Sequence, residues 1–278
     1  MSANGPLVVF WDCDGVLANN SEALAMPIAG IILNEALHTV HPEAPQFDIA
    51  EFTVKYAGGH FKDFHRYAVE MLAEFDPALV LPGLEELDAV KVSRTVEVLT
   101  EQAMPAADMA QTIDMLRQAG LKQCVVSSSE FNRVLPCVEK IVGQDFGGAY
   151  KQDGTGGRVF SAADTMMEVH GAKIVKPDPT IAFFAAEKMG LSDLSRGVAI
   201  EDSESGVKCW VNAGIPVIGY VGGDHILDKD AHAQKLRDLG AVAVYPTMTD
   251  IGRHILKMGQ MDARPRTGRG NGPASRPA

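Results

Sequence analysis

The feature that most constrains this chain is a recurring unit, a short apolar run of strand length that ends on polar side chains and is followed by a helix-length stretch. Leu7-Val8-Val9-Phe10-Trp11 runs into Asp12-Cys13-Asp14-Gly15, Cys124-Val125-Val126 into Ser127, Ile174-Val175 into Lys176-Pro177, and Val198-Ala199-Ile200 into Glu201-Asp202. Strands alternating with helices of this length predict parallel βαβ units and a doubly wound sheet. In open α/β sheets the ligand crevice lies at the carboxyl ends of the strands, where all four stretches would put their polar groups.

The rest of the core reads in the same way. Ala107 to Ala119 predicts a helix, Leu121 to Val126 a strand, Phe131 to Val142 a helix and the Gly-rich Gly147 to Gly157 a loop. Asp178 caps a helix that starts at Pro179 and stops at Gly190, and Ser203 caps another that ends at Gly214. Ile215 to Tyr220 and Ala241 to Tyr245 predict strands on either side of a helical Asp230 to Leu239. Between the first motif and this region, apolar residues fall at three- and four-residue spacing in Ala23 to Leu37, Phe64 to Phe75 and Leu84 to Leu99, as in an all-helical insertion. The expected fold is therefore α/β, a doubly wound Rossmann-like parallel sheet core built from residues 1–18 and 104–257, with a helical insertion at 19–103. Met258 to Ala278, rich in Arg, Gly and Pro, lacks periodicity and is expected to be a disordered, dispensable tail.

Composition narrows the chemistry. At 278 residues the chain can bury a sizeable core, and no run approaches the ~18 consecutive apolar residues of a membrane span. The first apolar run is too short for a signal-peptide core, so a soluble, cytoplasmic protein is expected. Cys13, Cys124, Cys137 and Cys209 lie far apart, which fits free thiols rather than a zinc site or a disulfide framework. The net charge of −11 argues against nucleic acid as a partner, and an anionic substrate would need a local positive site to draw it in.

The motifs offer one. Asp12 alone is a common turn residue, but Asp14 two positions on makes a pair of carboxylates that repel each other unless a cation or a proton-transfer task occupies the site. The spacing does not fit an EF-hand, because Val16 stands where a third oxygen ligand should fall. A carboxylate nucleophile can form an aspartyl-phosphate, and a neighbouring acid can protonate the leaving oxygen and later deprotonate water, so Asp12 suits the first role and Asp14 the second. Ser127 and Ser128 can donate to phosphoryl oxygens, although three serines in a row also make a plain turn. Lys176 read alone is a surface charge. Glu201 and Asp202 abut a buried strand and must find a cation or a helix N-terminus, and Mg²⁺ prefers one or two carboxylates with phosphate oxygens and water.

Taken in order, Asp-Cys-Asp-Gly-Val-Leu, Ser127, Val-Lys-Pro-Asp-Pro and Ile-Glu-Asp-Ser-Glu-Ser-Gly-Val resemble the motifs of the haloacid dehalogenase superfamily, and more narrowly its beta-phosphoglucomutase-like and phosphoglycolate phosphatase-like branch. The resemblance covers about Leu7 to Ile255. It implies that Asp12 is the nucleophile and Asp14 the acid/base, that Ser127 binds the phosphoryl group and that Lys176 neutralises nucleophile and phosphoryl oxygens. It also implies Mg²⁺ held by the carboxylates of Asp12 and Asp202 and the carbonyl of Asp14, with Glu201 a direct or water-mediated partner. The helical insertion becomes a cap that closes over the site, and Tyr56 to Lys62 falls where the branch carries a substrate-facing loop. Lys55, His60 and Lys62 are then candidates for contacting the substrate.

The chain departs from the branch at Asn19, where an acid is frequent, and at Phe61, where a sugar phosphomutase would want a cation for a second phosphate. The expected activity is Mg²⁺-dependent hydrolysis of a small phosphorylated metabolite, a sugar phosphate or a phosphoglycolate-like molecule. A phosphomutase would use the same motifs, and a binding module could use the same fold. Dehalogenase and phosphonate-cleaving relatives usually lack the acid at Asp14. No cysteine-dependent phosphatase loop, phosphate loop or dinucleotide fingerprint is present.

Overall fold

The computed structural model describes residues 7–56, 59–143, 146–151 and 156–261. The chain enters as β1 (Val8–Trp11), whose four side chains are all buried. Four helices follow: α1 (Ser21–Val40), α2 (Ile49–Lys55), α3 (Phe61–Phe75) and α4 (Leu84–Gln102). Alternation then sets in with α5 (Met109–Gln118), β2 (Lys122–Ser127), α6 (Phe131–Val142), β3 (Val159–Ser161), α7 (Ala162–His170), α8 (Thr180–Lys188), β4 (Gly197–Glu201), α9 (Glu204–Asn212), β5 (Val217–Tyr220), α10 (Lys229–Asp238), β6 (Ala243–Tyr245) and α11 (Met248–Met261).

The strands form one parallel sheet in the order β3-β2-β1-β4-β5-β6. The chain winds outward from β1 on one side, returns, and winds outward from β4 on the other, so this is a doubly wound sheet whose order reverses between β1 and β4. Both faces are covered, which is why β1 and the middles of β2 and β4 are continuously apolar. Val8, Phe10, Cys124, Val126 and Ala199 face the layer of α7 to α10, while Val9, Trp11, Val125, Val198 and Ile200 face α5, α6 and α11. A fully buried Phe10 contributes about 1.5–3 kcal/mol by transfer alone, and a Phe10→Ala cavity would cost about 3–5 kcal/mol. A buried polar pair in this layer is satisfied: Trp11 Nε1 donates to Gln123 Oε1 (2.9 Å), and Gln123 Nε2 to the Ile113 carbonyl (2.9 Å).

Helices α1 to α4 bury a core of their own, in which Ile32, Leu33, Leu37, Phe52, Phe64 and Leu72 meet. By length and composition α1 could cross a membrane, with a mean hydropathy of 1.4 in its most apolar window, yet Ile28, Ile32, Leu33 and Leu37 are buried in this core. The two segments that join these helices to the sheet run side by side. Asn19 N donates to the Met104 carbonyl, and Asn20 bonds Gln102 and Met104 through both ends of its amide.

The structure differs from the expectation at several points. The strand β3 and helix α7 follow the Gly-rich loop where none was predicted, and short α2 lies between the predicted helices of the insertion. Helix α11 runs to Met261, so the stretch predicted as a tail from Met258 begins inside a helix; its apolar face, with Ile251 and Ile255, covers the sheet. Helix α8 starts at Thr180 with Pro179 at the cap position, one residue later than predicted, although the Asp178 carboxylate does accept from Thr180 N (2.9 Å). Residues 152–155 of the predicted Gly147 to Gly157 loop, and 57–58 of the predicted substrate-facing loop, lie outside the described residues.

Candidate active site

The four polar stretches meet at the carboxyl edge of the sheet, at its switch point. Asp12 directly follows β1, Ser127 ends β2, Glu201 ends β4 with Asp202 next, and Lys176 comes in on the segment before α8. After Asp12 the backbone turns tightly: Gly15 N donates to the Ala18 carbonyl, and Ala18 N to the Cys13 carbonyl. Gly15 has φ +73°, and a Cβ there would stand 2.0 Å from Asp202 Oδ2, so only glycine lets this turn pass beside that carboxylate.

Lys176 is the hub. Its ammonium, with a side chain 2% exposed, donates to Asp12 Oδ1 (2.7 Å), Glu201 Oε1 (2.5 Å) and the Val126 carbonyl (2.7 Å). Burial alone would depress the lysine, but Asp12 and Glu201 outweigh it and hold it charged, above the ordinary ammonium range. Glu201 Oε1 also accepts from Trp210 Nε1 (3.0 Å), which fixes the carboxylate that fixes the lysine. Burial, and then the charge of Glu201, push the Asp12 carboxyl well above the usual range, with Lys176 pulling the other way. Burial likewise raises Glu201 against the pull of Lys176.

Asp14 is held by the third serine of the Ser127-Ser128-Ser129 run and by an arginine of α6. Ser129 Oγ donates to its Oδ2 (2.7 Å), Arg133 Nε to its Oδ1 (2.9 Å), and the same guanidinium pairs with Glu22 on α1 (2.5 Å). Arg133 thus ties the sheet unit to the helical insertion. Asp202 accepts from His225 Nε2 (3.1 Å), and its backbone carbonyl lies 2.6 Å from His232 Nε2. Burial would lower His225, but its bond to Asp202 and the charge of that carboxylate raise it instead. Nothing in the sequence marks Arg133, in the first turn of α6, as different from a solvated arginine. His225 had one signal, the Gly222-Gly223 pair before it: a Cβ on Gly223 would stand 2.8 Å from the imidazole.

One oxygen from each of Asp12, Glu201 and Asp202 lies within 4.8 Å of the other two. Glu201 Oε2 is buried with no hydrogen-bond partner, and the carboxylates of Asp12, Asp14, Glu201 and Asp202 outnumber the cations Lys176 and Arg133. This hard, all-oxygen and over-acidic donor set fits a small divalent cation. Above it opens a cavity of about 320 Å³, walled by Asp12, Asp14, Ser127, Lys176 and Asp202 on the sheet side and by Thr53 and Val54 on α2. Ser128 and Ser129 also line it. Of the three cap candidates, His60 lines an adjoining groove with Asp202 and His225, Lys55 lies over the Tyr56 ring, and exposed Lys62 lines none of the described cavities.

A family model of haloacid dehalogenase-like hydrolases matches residues 7–214. The chain belongs to that family. It is 26% identical, over 170 residues, to a haloacid dehalogenase-like hydrolase domain-containing protein of Arabidopsis thaliana; the match takes in 60% of this chain and 46% of the relative, so the chain spans about half of that protein. A conserved haloacid dehalogenase-like protein of unknown function from Agrobacterium tumefaciens superposes with a TM-score of 0.68 at 25% identity, covering 91% of this chain and 99% of that one. A family hydrolase from Deinococcus radiodurans, with bound phosphate and sodium, gives 0.64 at 23% identity over 91% and 96% of the two chains. A putative beta-phosphoglucomutase from Thermotoga maritima gives 0.61 at 20% identity over 89% and 98%. The last two likenesses are of fold alone.

Proposed function

We propose that this haloacid dehalogenase-like hydrolase is a Mg²⁺-dependent phosphatase of small phosphate monoesters, working through an aspartyl-phosphate on Asp12. The observation that carries the reading is the Asp12 carboxylate at the floor of the cavity, one oxygen bound by Lys176 and a second acid, Asp14, two residues away. The phosphate bound by the Deinococcus radiodurans relative is in keeping with it.

In the first step Asp12 Oδ2 attacks phosphorus while Lys176 keeps Oδ1 engaged and the carboxylate oriented. The ester P–O bond breaks, and the leaving oxygen takes a proton from Asp14. Water then attacks phosphorus, gives its proton to Asp14 and restores the Asp12 carboxylate. Ser127 and Ser128 hold phosphoryl oxygens. Arg133 and Ser129 hold Asp14 beside the substrate. Bound by the carboxylates of Asp12 and Asp202 and the carbonyl of Asp14, with Glu201 nearby, Mg²⁺ would neutralise charge that builds on the phosphoryl oxygens. Residues 19–103 act as the cap, closing over the site to exclude water. The four buried, free cysteines suit a reducing, cytoplasmic setting.

The test is phosphate release from a panel of phosphorylated metabolites, with Mg²⁺ and with EDTA, by the wild type and Asp12→Asn. The reading expects release that needs both Mg²⁺ and Asp12. Isomerised product without phosphate would make the chain a phosphomutase, and no turnover on any compound would leave a binding module.

A further inference from the structure

The loop after β5 touches both Asp202 and the first connection to the helical insertion, and glycine lets it do so. Gly222 and Gly223 open the loop, and Ile226 N donates to the Gly223 carbonyl (3.1 Å), so the backbone turns back at once. The His225 ring then lies between two glycines: a Cβ on Gly15 would stand 2.7 Å from it, and one on Gly223 2.8 Å. Its Nε2 donates to Asp202 Oδ2 (3.1 Å), while Nδ1, also buried, finds no partner among the described residues. One side-chain bond therefore holds the ring, and its place depends on the loop that carries it.

That loop is fastened by the residue before His225. Asp224 Oδ1 accepts from Asn19 Nδ2 (2.8 Å), and Asp224 N donates to the Asn19 carbonyl (3.3 Å). Asn19 is buried, and its remaining polar atoms are used as well: Oδ1 accepts from the Tyr220 hydroxyl at the end of β5 (2.6 Å), and N donates to the Met104 carbonyl on the second connection. The side chain here must accept from a hydroxyl on one side and donate to a carboxylate on the other, which an amide can do and a carboxylate cannot. An aspartate in place of Asn19 would set two carboxylate oxygens at hydrogen-bond distance with no proton between them. The asparagine that stands where the branch has a frequent acid is thus matched by an acid of this chain 205 residues further on.

Resting on the Mg²⁺-dependent reading above, we infer that Asn19 and Asp224 are positioning residues for the metal site: they hold the loop that sets His225 against Asp202, and His225 Nε2 keeps that carboxylate in place for the ion. Partners of this kind orient the ligands they bond and are worth nearly as much as the ligands themselves. The residue that opens the helical insertion is thereby joined to a metal ligand through Asp224 and His225.

The test titrates Mg²⁺ by calorimetry into the full-length wild type, His225→Ala, Asn19→Asp and Asn19→Asp/Asp224→Asn. The same proteins, free of metal and labelled with ¹⁵N-histidine, give the His225 imidazole signals by NMR, assigned by their absence from His225→Ala. His225→Ala should weaken Mg²⁺ binding about 10- to 100-fold. Asn19→Asp should weaken it about 10-fold, the lower end of that range, and shift the His225 signals. The double variant exchanges amide and carboxylate across the same bond, keeps the wild-type net charge and should restore both. A charge acting only at a distance would give the opposite sign, since an added carboxylate would tighten Mg²⁺. Wild-type affinity in His225→Ala, affinity in Asn19→Asp equal to or tighter than wild type, or a double variant no better than Asn19→Asp would each overturn the inference. If Asn19→Asp does not fold, wild-type affinity and signals in the double variant uphold the pair, and their loss overturns it. Should the wild type bind no Mg²⁺, the metal reading falls separately and the His225 signals decide: shifted in Asn19→Asp and restored in the double variant, they uphold the link from Asn19 to His225; unmoved in Asn19→Asp, they overturn it.

Discussion

Replacing Lys176 by methionine keeps most of the side-chain volume and removes a single charge, so its effect isolates what that charge does. The ammonium is 2% exposed and bonds two carboxylates, Asp12 and Glu201, at 2.7 and 2.5 Å. Removing one partner of a buried ion pair leaves uncompensated charge, at a cost of about 3–5 kcal/mol, which for a chain of this size lowers Tm by roughly 10 °C. The loss should depend on pH, and its sign follows from the carboxyls. Lys176 itself is raised in the folded state and stays charged throughout the neutral range, so its own titration adds no slope there. Asp12 and Glu201 are raised already and rise further once the lysine is gone, so the folded variant binds protons more readily than the unfolded chain. Its stability therefore falls as pH rises through that raised range, and the gap to wild type is wider at pH 8 than at pH 5. Urea unfolding followed by the fluorescence of buried Trp11 and Trp210 gives the numbers. A loss below about 1 kcal/mol, or the same loss at both pH values, would refute the idea that a buried cation compensates this acidic site.

Three further outcomes are expected. Gly15→Ala places a Cβ 2.0 Å from Asp202 Oδ2 at φ +73°, so both Mg²⁺ affinity and Tm should fall; a variant that binds Mg²⁺ as the wild type does would contradict the turn geometry. Mg²⁺ should raise the wild-type Tm more at pH 8 than at pH 5, because the raised Asp12 and Glu201 carboxyls hold protons at the lower pH and compete with the ion; a Tm indifferent to Mg²⁺ at both would remove the metal from the account. All four cysteines are buried, and burial pushes the Cys209 thiol up to about 12, so iodoacetamide at pH 8 should leave the native protein unmodified by mass spectrometry and label it fully in urea.

The parts of this molecule that were legible in its sequence are those in which neighbours along the chain suffice. Val8 to Trp11 was legible as a central strand, because a run apolar at every position, too short for a buried helix and closed by an Asp-Gly turn, fits a strand covered on both faces. Three of the four polar stretches had to share an edge, because parallel strands all end on the same side of a sheet; the fourth did not have to, since Ile174-Val175, expected to be strand-like, is irregular and Lys176 reaches the edge from the segment before α8. What escaped depends on distant partners. The three residues of β3 carry too short a pattern to read, and β3 exists because Val125, Val126 and Ser127 offer it an edge. Helix α11 was hidden by the composition of the segment after it, although Ile251 and Ile255 continue a core-facing stripe. Arg133 sits 119 residues from the Asp14 that it holds, and nothing local distinguishes it. Around the loop from Tyr56 to Lys62 the expected contacts were Lys55, His60 and Lys62; His60 lines a groove beside Asp202, and Phe61 with Thr95 of α4 lines a smaller cavity that no local pattern marked.

The central claim is that Asp12 carries the phosphoryl group, and rapid-quench mass spectrometry of Asp14→Asn with p-nitrophenyl phosphate tests it most directly. The leaving group of that ester needs no proton, so attack should proceed, while hydrolysis of the intermediate, which needs Asp14 to deprotonate water, should stall. The account predicts a single added phosphoryl group that maps to the peptide containing Asp12 and is absent from Asp12→Asn/Asp14→Asn. Release of phosphate with Asp12 unmodified at every time point, or a phosphoryl group on another residue, would contradict it.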